Sequence, residues 1–221
     1  MATEHGRRSL EGRCAVVTGV GSGLGQAIAG EFAAEGALVV GCDVNDAAGE
    51  ATMAGIGTYV HADVSREAEV EGLIAAAVER HGRLHVMVNN AAVQIEQELV
   101  ETTEEQLDRI LAVNLKGVFF GCKHAVRAMR PAGGGAIVNI ASILGLVGDG
   151  APPGNASSHP PGQWSSKFAC SSARCGSTRG ECHRTSRSPR LSTRRRIFPP
   201  SSGITSTAIR RFSSRITRRP L

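Results

Sequence analysis

The sequence predicts an α/β protein with a doubly wound parallel sheet over residues 1–150, followed by a C-terminal part, 151–221, that is incomplete or disordered. Three observations carry this expectation. Short apolar runs alternate with helical patterns, a glycine-rich turn joins the first run to the first helix, and the composition changes abruptly near Gly150.

The apolar runs are Cys14 to Thr18, Ala37 to Cys42, Gly57 to His61, Leu84 to Val88 and Ala136 to Ile140. Short runs with little polar alternation suit strands covered on both faces, as in a parallel sheet. Between them lie helical patterns. Val70, Leu73, Ile74, Ala77 and Val78 share one helix face, with Ser65 expected as the cap and Glu67 and Glu69 in the first turn. Thr102 and Glu105 are spaced as a capping box ahead of Leu107, Ile110 and Leu111. A β-α-β-α order implies right-handed crossovers and helices on both sheet faces.

A chain of 221 residues can enclose one sizeable core. Its charge is divided unevenly. Up to Gly150 there are 19 acidic and 11 basic residues; from Ala151 there are 14 basic residues against the single acid Glu181. The net charges of −8 and +13 together make the +5 of the whole, so the bulk value describes neither part. Serine rises from 4 residues to 15 across the same boundary and proline from 1 to 8. Such an Arg/Ser/Pro-rich tail, with little apolar periodicity, is not expected to form a folded domain. Thirteen arginines could instead contact nucleic-acid phosphates, but the tail has no interleaved aromatics or zinc spacing, so nucleic acid is not the expected partner. No apolar run approaches the length of a membrane span, and the N-terminus MATEHGRRSLEGR lacks a signal peptide's apolar stretch; the expected location is the cytoplasm, without membrane. The six cysteines include no CxxC pair and are read as free thiols, with no metal site.

The first strand-to-helix turn holds the pattern T-G-x-x-x-G-x-G as Thr18, Gly19, Gly23 and Gly25, with Ser22 and Leu24 between the later glycines. Glycines let the backbone turn sharply and approach a pyrophosphate, while the following helix N-terminus offers N–H donors and a positive dipole end. Asp43 closes the second strand, 24 residues after Gly19. A carboxylate there can accept from both adenosine ribose hydroxyls and would repel a 2′-phosphate, favouring NAD over NADP. It could also cap the helix that begins near Asp46.

These motifs, with Asp63-Val64, Asn89-Asn90-Ala91-Ala92, Asn114 in VNLKG and Ser142 in IVNIAS, stand in the order and spacing of the short-chain dehydrogenase/reductase family, which residues 1–150 resemble. The resemblance implies a Rossmann-like dinucleotide-binding domain carrying part of an active site. The implied reaction is hydride transfer between NAD(P) and a secondary alcohol or ketone by a homo-tetramer or homodimer, the tetramer forming through helices that here include Leu115 to Arg130. It also implies that Asp63 and Val64 hold the adenine, that Asn90 contacts the cofactor ribose region, and that Asn89 ties the fourth strand to its neighbours. Ser142 would hydrogen-bond the substrate oxygen and Asn114 would support a water relay. Ala92 departs from the family's usual glycine. Taken singly, Asn89 and Asn90 could be turn residues, Asp63 a helix cap, and Asn114 a helix-ending residue.

The family's tyrosine base and its lysine would fall at Asn155 and His159. Neither can replace its counterpart, since Asn155 has no titratable phenol and a neutral His159 is not a fixed ammonium. The chain's only tyrosine, Tyr59, lies in the third strand. Degenerate codons for the tail, read from the second base, yield glycine at Trp164, permit leucine at Ser165, and permit V-N-V-I-A-P over Gly180 to Thr185. The family has Gly-Leu and an xVNxIxP strand at those places, so the tail resembles a frameshift of an oxidoreductase. The competing functions are a catalytically inactive dinucleotide-binding protein and an Arg-rich nucleic-acid binder on a Rossmann core.

Overall fold

A computed structural model of the chain describes residues 8–95, 99–142, 173–175 and 182–184. Strands β1 (Cys14–Thr18), β2 (Leu38–Asp43), β3 (Gly57–His61), β4 (Val86–Asn89) and β5 (Gly135–Asn139) form a parallel sheet in the order β3-β2-β1-β4-β5. The order reverses beside β1, and the carboxyl ends of β1, β2 and β4 surround the crevice that this reversal opens. The parallel, doubly wound arrangement is the one the alternating runs predict. Strand ends differ by one or two residues, because the last apolar residue of a run need not be the last to pair.

Among the described residues the α-helices are α1 (Gly23–Ala34), α2 (Asp46–Met53), α3 (Glu67–His81), α4 (Glu104–Leu111) and α5 (Val118–Met129), with a π-helical stretch, Ala112–Gly117, joining α4 to α5. Two cores lie on opposite sheet faces. Ile28, Ala29 and Phe32 of α1 and Met53 of α2 cover Ala15, Val17, Val39 and Val88. Val70, Leu73, Ile74 and Ala77 of α3, with Ala125 and Met129 of α5, cover Val16, Val40, Met87 and Ile137. Alternate β1 residues feed opposite cores, and all five are buried, so a non-alternating apolar run is what both layers require. Phe32 is fully buried, and its removal is expected to cost about 3–5 kcal/mol.

Two local expectations are corrected. The capping box belongs to Thr103 and Gln106: Thr103 Oγ1 accepts the Gln106 N–H at 3.3 Å, and Gln106 Oε1 accepts the Thr103 N–H at 3.0 Å. Two overlapping S/T-x-x-E/Q matches occur here, and the helix start selects the second. Only Ile110 of that apolar set is buried; Leu107 and Leu111 are 43% and 39% exposed. The N-cap of α3 is Arg66 rather than Ser65, whose N–H instead donates to Asp63 Oδ1 at 2.9 Å.

Within the segment for which no element is predicted, Ala173–Cys175 (β6) and Cys182–Arg184 (β7) extend the sheet. Both pair antiparallel, β6 against β5 and β7 against β6.

Candidate functional site

The glycine turn is built from the backbone outward. The Gly19 and Val20 N–H groups donate to the Cys42 carbonyl at 2.8 and 3.1 Å, which ties the turn to the end of β2. Gly19 has φ +72°, a conformation that a side chain resists. A Cβ at Gly25 would run into the Gly19 carbonyl, so the first turn of α1 can approach the loop only without a side chain there. At Gly21 a Cβ would meet the Asp43 carboxyl carbon at 2.9 Å. The glycines thus make room for one another and for Asp43.

Thr18 is buried and braces the turn from below. Its hydroxyl oxygen accepts the N–H groups of Asn90 and Ala91 at 2.9 and 3.0 Å and donates to the Val88 carbonyl at 3.4 Å. The Asn90 amide donates to the carbonyls of Thr18 and Gly19 at 2.9 and 3.2 Å. Asn90 therefore holds the turn's shape while also lining the crevice. Asn89 donates to Asn139 Oδ1 at 2.8 Å, locking β4 to β5.

The Asp43 carboxylate is also positioned from both sides. Oδ2 accepts the Gly21 N–H at 2.8 Å and Oδ1 accepts the Asn45 N–H at 3.0 Å. The cap of α2 is Asn45, whose side chain accepts the Ala48 N–H at 3.2 Å, so Asp43 is not that helix's cap. The adjoining Cys42 thiol is pushed up to about 12 by burial, and the Asp43 charge adds to this; it stays protonated.

A crevice of about 800 Å³ opens above these groups. Of the residues named from the sequence, Gly19, Ser22, Gly23, Leu24, Asp43, Asp63, Val64, Ser65, Asn90, Ala91 and Ala92 line it. Ser22 precedes α1 without a side-chain cap, and no acid occupies the helix's first turn. The α1 N-terminus thus faces the crevice with its dipole unopposed. Thr18, Gly25 and Asn89 act from behind this lining.

Asn114 is buried in the π-helical stretch and clasps the loop after β4. Its Oδ1 accepts the Val93 N–H and its Nδ2 donates to the Val93 carbonyl, both at 2.9 Å. Ser142 lies beyond the end of β5, partly buried and outside the crevice lining. Asn155 and His159 lie outside the described residues. Tyr59 is held on β3, where its hydroxyl meets the Asp43 carbonyl and Asp46 Oδ1 at 2.8 and 2.7 Å. Burial, then the Asp46 carboxylate, pushes its phenol above the usual range, the opposite of what a base near neutral pH needs.

Further lining comes from Val44, Val93, Asp108, Arg109, Ala112 and Val113. Val44 and Val113 adjoin residues already singled out. The α4 positions carry no sequence motif and are brought to the crevice only by packing. Among the described residues no His/Cys/Asp/Glu group could hold a metal ion, and no helix is long and apolar enough to cross a membrane.

Residues 13–158 match the short chain dehydrogenase family. The chain is 43% identical to momilactone A synthase of Oryza sativa subsp. japonica over 146 residues, which are 63% of this chain and 53% of that one. The crystal structure of levodione reductase superposes with a TM-score of 0.61 at 37% identity, covering 67% of this chain and 61% of the other. A short chain dehydrogenase/reductase from Burkholderia phymatum, solved in complex with NAD, gives a TM-score of 0.61 at 34% identity over 64% and 53% of the two chains. The chain spans about half the length of the curated relatives it matches.

Proposed function

The chain belongs to the short chain dehydrogenase family, and we propose that residues 1–150 form the NAD-binding part of an oxidoreductase acting on a secondary alcohol or ketone. The observation that carries the cofactor reading is the Asp43 carboxylate, fixed by the Gly21 N–H at 2.8 Å on the rim of the crevice. The glycine cradle, closed by any Cβ at Gly25, fits a pyrophosphate lying against the α1 N-terminus. In this reading Gly19, Ser22, Gly23 and Leu24 receive the pyrophosphate, Asp43 accepts from the adenosine ribose, and Asp63 and Val64 hold the adenine. Thr18, Gly25, Asn89 and Asn90 keep these groups in place. When bound, the nicotinamide supplies or takes up the hydride exchanged with the substrate carbon.

Ser142 offers a hydroxyl to the substrate oxygen, and Asn114 fixes the loop at Val93, which borders the cofactor crevice. The proton on a substrate hydroxyl needs an acceptor, and the family's tyrosine and lysine positions hold Asn155 and His159. Tyr59, engaged by Asp46, does not replace that base. This favours a second reading, a catalytically silent NAD-binding chain, with activity belonging to the form translated in the shifted frame. The cytoplasm and assembly as a homo-tetramer or homodimer belong to the same proposal.

Titration of the chain with NAD and NADP, followed by fluorescence or calorimetry, tests the cofactor reading. NAD is expected to bind and NADP to bind more weakly. Equal or tighter binding of NADP would overturn it.

A further inference from the structure

Beside the adenosine end of the crevice, His61, Tyr59 and Asp46 form a cluster that does not line it. His61, the last residue of β3, stands in register with Asp43, and its Nδ1 is 2.7 Å from Asp46 Oδ1. That oxygen also accepts the Tyr59 hydroxyl, which reaches the Asp43 carbonyl as well. Carboxylates act on His61 from Asp46 on α2, Asp63 beyond β3 and Glu69 on α3, and Asp43 is its register partner on β2. Arg66 is already engaged, 3.9 Å from Asp63 and 3.2 Å from Glu69. Of these groups only His61 has an ordinary pKa close to neutrality.

Resting on the NAD-site reading, we propose that His61 is a specificity-determining residue that sets how strongly the adenosine end of the crevice rejects a 2′-phosphate. The Asp46 carboxylate holds the Nδ1 proton, so titration takes place at Nε2. Protonated His61 offsets the carboxylates around it; neutral His61 leaves Asp43 and Asp46 to repel a phosphate unopposed. The Asp46 hydrogen bond and charge, with smaller contributions from Glu69 and Asp63, raise the pKa of His61 against a small opposing burial effect. The change in discrimination therefore falls above the ordinary histidine midpoint of about 6.5. The ring is 54% exposed, so screening limits the effect to about two- to fivefold.

The test compares the full chain with His61→Gln and Asp46→Asn, measuring dissociation constants for NAD and NADP from about pH 5.5 to 8.5. A 2′-phosphate itself titrates near pH 6, so the quantity read is the difference between proteins in the NADP-to-NAD ratio at each pH. The wild-type ratio should rise about two- to fivefold more than that of His61→Gln as pH increases, and Asp46→Asn should lower it at the alkaline end. Parallel curves for wild type and His61→Gln overturn this proposal alone. Failure of the wild-type chain to bind either dinucleotide overturns the underlying reading and this proposal with it. Linkage supplies a check that needs no variant: bound NADP must raise the pKa of the His61 ring, followed by NMR, relative to bound NAD. Equal values in the two complexes also overturn the proposal.

Discussion

The carboxylate of Asp43 and the backbone N–H of Gly21 meet at 2.8 Å, joining the end of β2 to the turn after β1. One side chain thereby shapes the loop and presents its charge to the crevice. Asp43→Ala should weaken NAD about tenfold and reduce discrimination against NADP, because ribose acceptors and phosphate repulsion are removed together. It should also lower stability by about 1 kcal/mol through loss of the bonds to Gly21 and Asn45. Paired titrations and denaturation curves measure both effects; unchanged discrimination would show that Asp43 does not face the ribose.

Gly23 and Gly25 are two residues apart and should fail differently. Gly25→Ala places a Cβ against the Gly19 carbonyl and 2.6 Å from Asn90 Nδ2, so binding of NAD should be lost and stability should fall by about 2 kcal/mol or more. A Cβ at Gly23 meets nothing, but φ is +56°, so Gly23→Ala should cost only about 1–2 kcal/mol of backbone strain. Equal melting temperatures for the two variants would contradict this ordering.

Asn114→Ala should destabilise the chain by about 2–3 kcal/mol, since it removes both bonds to Val93 at a buried position. Val93 borders the crevice, so dinucleotide affinity should fall as well. Urea unfolding and NAD titration of the variant measure the two consequences; wild-type values for both would show that the clasp is dispensable.

His85 accepts the Cys14 N–H through Nδ1 at 3.0 Å, and its pKa is pushed down to about 4 by burial, then by Arg83 and Arg13. The folded state thus prefers the neutral ring. Stability contributed by that preference is complete above the unfolded midpoint of about 6.5 and is lost as pH falls towards 4, amounting to about 1–2 kcal/mol once solvent screening of the partly exposed ring is allowed for. His85→Asn keeps an acceptor near the Cys14 N–H and should flatten this part of the pH–stability profile. A variant that loses stability over the same interval as wild type would place the acid sensitivity elsewhere.

The present chain should show no alcohol-dependent reduction of NAD, whereas a chain translated in the shifted frame from about residue 150 should be active. The first lacks a phenol and a fixed cation at 155 and 159; for the second, degenerate codons permit the family's Gly-Leu and its xVNxIxP strand. Resequencing the gene and assaying both proteins with a panel of secondary alcohols measures this. Turnover by the present chain would overturn the inactivity and the frameshift together.

The fold of the described residues up to 142 was legible because a buried parallel strand must be apolar on both faces, and Cys14–Thr18 shows that without ambiguity. The cradle was legible because Gly19, Gly23 and Gly25 follow a strand and open a helix. Asp43 was legible only as a choice between ribose acceptor and helix cap, and the packing of Asn45 and Gly21 removed the cap. Thr102 and Thr103 offered overlapping capping patterns that local sequence cannot rank, because the choice depends on where α4 docks.

By itself the sequence determined what is written in periodicity and residue type: five parallel strands, a glycine turn before a helix, a carboxylate at the second strand's end, and the residues at 155 and 159. Only the tertiary structure decided what lies between distant segments. It turned the Asn90 amide onto the glycine turn, closed Asn114 on Val93, brought Asp108 and Arg109 to the crevice, and set His61 beside Asp46. The reason is physical: periodicity reports which face of an element is buried, whereas a side-chain hydrogen bond depends on distances between elements that become definite only when the layers pack.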